Sequence, residues 1–169
     1  ECRSANVFAA PQYPRSGALG HDARARGRKV CRMGANGDLL REVFDRVNAR
    51  DFGSHATELI APEFVRHDLA DLWVGVEGQG GVQDFLAMLT VAAPDLHLEI
   101  EDLIEDGDRV VVRFTMSGTH TGGPLLGVDP GGARVQLNAI NVYRVQEGRI
   151  AETWQLADGL GLHRALGLL

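Results

Sequence analysis

A carboxylate at the end of an apolar strand can act as a base toward a carbon acid, and Asp158 holds that position in this chain. Period-two alternation from Ile150 sets Glu152, Trp154, Leu156 and Asp158 on one strand face. Because Trp154 and Leu156 are apolar, that face is expected to point inward. A carboxylate at its inner end loses solvation, which raises its pKa toward the range of a general base. Asp158 also precedes Gly159 and the apolar stretch Leu160–Leu168, where an Asp serves as a helix N-cap. Spacing alone favours the cap.

Two histidines are candidate partners for it. His120 shares its parity with Val112, Phe114 and Met116 at the end of an apolar strand, and His67 follows the extended run Phe64-Val65-Arg66. Either could hydrogen-bond a substrate carbonyl or orient a carboxylate, and either could be a structural histidine satisfied by backbone. Trp154, Phe114 and Met116 are expected to form an apolar wall, with Asn141 and Tyr143 on the longest strand as further substrate contacts. The histidines show no HxH or HxxxH spacing, so no metal site is expected. No Gly-rich phosphate loop is present, so nothing is expected to cradle a nucleotide phosphate, and no nucleophile elbow appears. Arg113 lies on the opposite parity and is expected to pair with Glu99 or Glu101 across a hairpin.

Helical spacing predicts a first helix over about Gly37–Arg50, with Leu39, Leu40, Val43, Phe44 and Val47 on one face. A short helix over Ser54–Ile60 ends at Pro62. A third helix is expected over Val82–Ala92. From Leu96 the pattern becomes β. Strands are read at Leu96–Ile104, Val110–Met116, Val135–Val145 and Ile150–Leu156, with tight turns at Gly107 and at Glu147-Gly148. Helices first and a strand meander afterwards give an α+β fold.

The composition fits one domain. The chain has 169 residues, 44% hydrophobic and 24% charged, with a net charge of −6. Residues 1–32 carry seven basic groups against two acidic ones, and both cysteines, Cys2 and Cys31, lie there. This aperiodic stretch is expected to be a disordered tail, with Met33 as the natural start. The remainder is strongly acidic, which argues against partnership with nucleic acid or an anionic membrane surface. No apolar run reaches the roughly 18 residues of a membrane span, and a cytoplasmic location is the default expectation.

Several short motifs carry a resemblance. Gly107-Asp108-Arg109-Val110-Val111-Val112-Arg113-Phe114-Thr115 is followed by Gly118-Thr119-His120-Thr121-Gly122. Then come Tyr143-Arg144, Glu147-Gly148-Arg149-Ile150-Ala151-Glu152-Thr153-Trp154, Asp158, Leu160-Gly161-Leu162 and Leu166-Gly167. In this order, residues 33–169 resemble the SnoaL-like polyketide cyclases. The resemblance implies a cone-shaped, nuclear transport factor 2-like fold, with about three helices packed on a strongly curved antiparallel or mixed sheet. It implies a homodimer or higher homo-oligomer and a small apolar or polycyclic substrate. The implied reaction is cofactor-free intramolecular aldol closure of an aromatic polyketide, with Asp158 as the base and His67 or His120 assisting. An isomerase or hydrolase of a small apolar compound, or a non-catalytic ligand-binding dimer, would fit the same pocket.

Overall fold

The structure, a computed structural model, describes residues 34–51, 58–69, 72–73 and 76–169. The expected tail at 1–32 lies outside them, as does most of the expected helix at Ser54–Ile60. Of that helix, Glu58 and Leu59 form a turn and Ile60 opens a strand.

The described elements are α1 (Ala35–Asn48), β1 (Ile60–Asp68), α2 (Gly78–Ala92), β2 (His97–Asp106), β3 (Arg109–His120), β4 (Ala133–Gln146), β5 (Arg149–Ala157) and α3 (Gly159–Ala165). The five strands form one open mixed sheet in the order β1-β5-β4-β3-β2. β1 runs parallel to β5, and the other pairs are antiparallel. Together with the three helices this is the expected α+β architecture.

Alternation explains which face the helices cover. On β4, Val135, Leu137, Ala139 and Asn141 are buried and their neighbours Gln136, Asn138 and Ile140 are exposed. On β3, Val110, Val112 and Phe114 point to the same side. α1 lays Leu40 and Phe44 on that side, where the Phe44 and Phe114 rings meet edge to face at 5.1 Å. Asn48 ties the end of α1 to the sheet. Its Nδ2 donates to the Leu98 carbonyl at 2.9 Å and its Oδ1 accepts from the Leu98 N–H at 2.8 Å. A second apolar cluster joins α2 and α3 through Leu89, Ala92, Leu96, Leu137 and Leu162.

Two register shifts change what period two predicts. On β5, Ile150 pairs with Val145 but Glu152 pairs with Arg144, so Ala151 is an extra residue. This bulge reverses the parity of everything after it. Thr153 and Gln155 are the buried residues, whereas Leu156 is 55% exposed. The expected inward row Glu152, Trp154, Leu156 is therefore the outward row. On β2, a shift between Ile100 and Asp102 sets Asp102 opposite Arg113. Arg113 accordingly pairs with Asp102, at 2.7 and 2.9 Å, and not with Glu99 or Glu101.

Candidate functional site

Pairing across β1, β5 and β4 brings polar residues into two adjacent rows. Arg66 on β1 pairs with Thr153 on β5, and Thr153 pairs with Tyr143 on β4. One step along, Asp68 pairs with Gln155, and Gln155 with Asn141. Since alternate residues share a face, the two rows form one patch on the helix-covered side of the sheet. The bulge at Ala151 creates it, by turning Thr153 and Gln155 inward.

The patch is the polar wall of a cavity of about 130 Å³. Arg66, Thr153, Tyr143, Gln155 and Asn141 line it, and Phe44, Phe64, Phe85, Leu89, Phe114 and Met116 supply apolar walls. No carboxylate lines it among the described residues. Of the residues expected to contact a substrate, Phe114, Met116, Asn141 and Tyr143 are here.

Arg66 is held from three sides. Its Nη2 donates to Gln155 Oε1 and lies 3.6 Å from Asp68 Oδ2, and its guanidinium sits 4.9 Å from the centre of the Phe85 ring. The side chain is only 6% exposed. Burial pulls its pKa below the ordinary arginine value, and the Asp68 carboxylate opposes that. Tyr143 accepts a 2.8 Å hydrogen bond from Asn141 Nδ2. The residue keeps some surface, yet burial of its hydroxyl pushes the phenol pKa up to about 12, against the smaller opposing effects of Asn141 and Arg66. The phenol therefore stays protonated at neutral pH. With its oxygen already accepting, its O–H is left to donate. An arginine and a protonated phenol in an apolar cavity make a site for a partly or fully negative oxygen.

The other expected site residues stand elsewhere. His67 and Trp154 are register partners on the outer face, with rings stacked at 4.9 Å. Arg109 covers the Trp154 ring at 4.7 Å. His67 Nε2 lies 3.3 Å from Glu152 Oε2, and Arg144 binds the other oxygen of Glu152. The Arg144 hydrogen bond, with help from His67, holds Glu152 below the usual carboxylate range. Trp154 is thus not a cavity wall, because the bulge turns it outward, and His67 follows it through the parallel pairing. His120 is 1% exposed, but its Nε2 is 2.9 Å from the Gly123 carbonyl and it ties down the loop after β3. It does not line the cavity. Asp158 is exposed and caps α3, its Oδ1 accepting from the Gly161 N–H at 2.9 Å. It too lies outside the cavity.

Sequence reasoning missed Arg66, Thr153 and Gln155. Arg66 and Asp68 share parity with the apolar Phe64, a signal present in the sequence. Thr153 and Gln155 needed the bulge, which period two hides. Among the described residues no three His, Cys, Asp or Glu side chains gather as metal ligands, and no helix is long and apolar enough to cross a membrane.

Residues 38–166 match the family pattern of the SnoaL-like polyketide cyclases. Similar solved structures include a candidate SnoaL-like polyketide cyclase from Jannaschia sp. CCS1, at 26% identity and TM-score 0.70, covering 80% of this chain and 93% of that one. IdmH of Streptomyces antibioticus, a candidate polyketide cyclase, aligns at 26% identity and TM-score 0.66 over 78% of this chain and 98% of its own. AclR of Streptomyces galilaeus, a candidate hydroxylase, aligns at 26% and 0.68 over 79% and 82%. None of the curated proteins compared with the chain matches it.

Proposed function

The chain belongs to the SnoaL-like polyketide cyclase family, and on that premise we propose that it enolises a small carbonyl compound in this cavity, without a cofactor, for ring closure or isomerisation. The observation that carries the reading is the row Arg66–Thr153–Tyr143 on the wall of an apolar cavity. A substrate carbonyl there accepts from Tyr143 Oη–H and the Arg66 guanidinium. A carboxylate removes the proton α to that carbonyl, and its C–H electron pair moves to the oxygen as an enolate. The enolate carbon then bonds to a second carbonyl carbon of the same molecule, and the proton returns to the new alkoxide. Donors already aimed at the developing charge lower the barrier because they need not reorganise, and the folded-up substrate supplies proximity.

The base in this reading is Asp68, which is not itself part of the cavity lining but lies 3.6 Å from Arg66, which is, and acts from beside that guanidinium. The exposed, helix-capping setting of Asp158 favours Asp68 over it. His67 and His120 have no part in the scheme.

The direct test is deuterium exchange at the α-carbons of cyclohexanone in D2O, followed by proton NMR. The protein should accelerate it, and Asp68→Asn should lose most of that acceleration. Full exchange activity in Asp68→Asn would place the base elsewhere. The exposed outer-face residues Val65, Ile140 and Leu156 support a homodimer joined through that face of the sheet.

A further inference from the structure

Four buried side-chain polar atoms have no hydrogen-bond partner among the described residues: Arg66 Nε, Trp73 Nε1, Asn141 Oδ1 and Thr153 Oγ1. All four residues line the same cavity. Folded proteins seldom leave such atoms unpaired, because each forfeits its hydrogen bonds to water without replacement. Four at one cavity describe the chemical complement of what the cavity holds.

The two N–H groups lie at one end. Arg66 and Trp73 both pack on the Phe85 ring, at 4.9 and 5.1 Å. Both also meet Asp68, whose Oδ2 accepts from the Trp73 backbone N–H at 2.8 Å and lies 3.6 Å from Arg66. That end offers donors to an acceptor oxygen. Asn141 is two strands away in the neighbouring row. One N–H of its Nδ2 goes to Tyr143, and its Oδ1, an acceptor, has no partner. Thr153, in register between Arg66 and Tyr143, can donate or accept. The cavity thus asks for an acceptor at one end and a donor at the other. Its size adds a limit. Its volume of about 130 Å³ is on the scale of a cavity that takes one aromatic ring, and because it is partly open, ring substituents can extend toward its mouth.

We propose that the substrate is a single-ring compound with a carbonyl oxygen for Arg66 and Trp73 and a hydroxyl across the ring for Asn141, a hydroxyaryl ketone or its alicyclic equivalent. A single ring fits that volume better than the flat polycycle implied by the resemblance. This rests on the enolisation reading, since the carbonyl is the one that would be enolised. With a single carbonyl such a compound is isomerised through its enol and not closed into a ring. The inference adds Trp73 to Arg66 and Tyr143 as a donor, the hydroxyl and the ring count. Asn141 and Trp73 become specificity-determining residues.

Isothermal titration calorimetry of the full chain with four probes tests it: 3-hydroxyacetophenone, acetophenone, ethylbenzene and the two-ring 6-hydroxy-2-acetylnaphthalene. The hydroxyketone should bind at least about tenfold more tightly than acetophenone, the worth of one hydrogen bond to an otherwise unpaired group. Acetophenone should bind more tightly than ethylbenzene, and the naphthalene more weakly than 3-hydroxyacetophenone. Asn141→Leu should erase the hydroxyl preference, and Trp73→Phe should weaken both ketones while sparing ethylbenzene. These comparisons within the parent protein decide the matter even if a variant fails to fold. Equal affinity for the hydroxyketone and acetophenone overturns the proposal, as does tighter binding of the naphthalene. If the hydroxyl preference is absent while cyclohexanone exchange is still catalysed, this inference falls and the enolisation reading stands. If no ketone binds and no exchange is catalysed, both fall.

Discussion

Replacing Tyr143 with phenylalanine removes one oxygen and changes stability differently at each pH. At pH 8 the variant loses the 2.8 Å hydrogen bond from Asn141 Nδ2, leaving that amide without its partner. The cost is about 1–3 kcal/mol. A second effect runs the other way as pH rises. In the folded parent the phenol pKa is about 12, against 10.0 for the unfolded group. Above pH 10 the unfolded chain releases this proton while the folded chain keeps it, so the unfolded state binds fewer protons and stability falls with pH. The contribution is intact below pH 10 and is lost as pH climbs through 12. At about 1.36 kcal/mol for each unit, the loss reaches about 2–3 kcal/mol by pH 12. The phenyl ring of the variant has no proton to lose, so the gap between parent and variant should close across that window. Urea unfolding midpoints from pH 8 to pH 11.5 measure it. The composition helps, since Lys29, Tyr13, Cys2 and Cys31 all precede the domain, which has no other Lys, Tyr or Cys. A gap that stays constant over the whole range would refute the desolvated phenol.

Asp158→Asn should leave stability within about 0.5 kcal/mol, because Asn caps a helix as well as Asp, whereas Asp158→Ala should cost about 0.5–2 kcal/mol; cyclohexanone exchange by Asp158→Asn should stay within a few-fold of the parent. Gly122→Ala should destabilise by roughly 1–3 kcal/mol in urea, since a Cβ at Gly122 would lie 1.7 Å from the Val91 carbonyl oxygen, which is backbone and cannot swing away. Light scattering should report a dimer for the parent and a monomer for Ile140→Glu, a charge placed at a half-exposed position of the outer face; an unchanged mass would remove that face from the interface.

The parts of the fold that follow a regular period can be read from the sequence. On β3 and β4 the inward residues Val112, Phe114, Asn141 and Tyr143 alternate without interruption, so their place at the cavity is legible. β5 misleads because one extra residue, Ala151, reverses the parity while leaving the strand intact. Trp154 is expected inside on that account and lies outside, and Thr153 and Gln155 escape notice. His67 is misplaced with it, since parallel pairing sets it beside Trp154. Arg66 is present in the motif Phe64-Val65-Arg66-His67, but a cation on an inward parity reads as an anomaly until Gln155, Asp68 and the Phe85 ring are seen to hold it. Asp158 shows the limit of spacing. One position satisfies two roles, and the backbone N–H of Gly161 takes the carboxylate.

The central claim is that the row Arg66–Thr153–Tyr143 stabilises a negative oxygen inside the cavity, and 4-nitrophenol reports on it directly because its phenolate absorbs at longer wavelength than the phenol. The dye is titrated with protein at a pH about one unit below the dye's solution pKa, a setting in which the free dye is mostly neutral. The account predicts that binding brings up the phenolate band, that Tyr143→Phe weakens it, and that Arg66→Met abolishes it. A dye that binds in the cavity and stays neutral, or a phenolate band unchanged in Arg66→Met, would contradict the account.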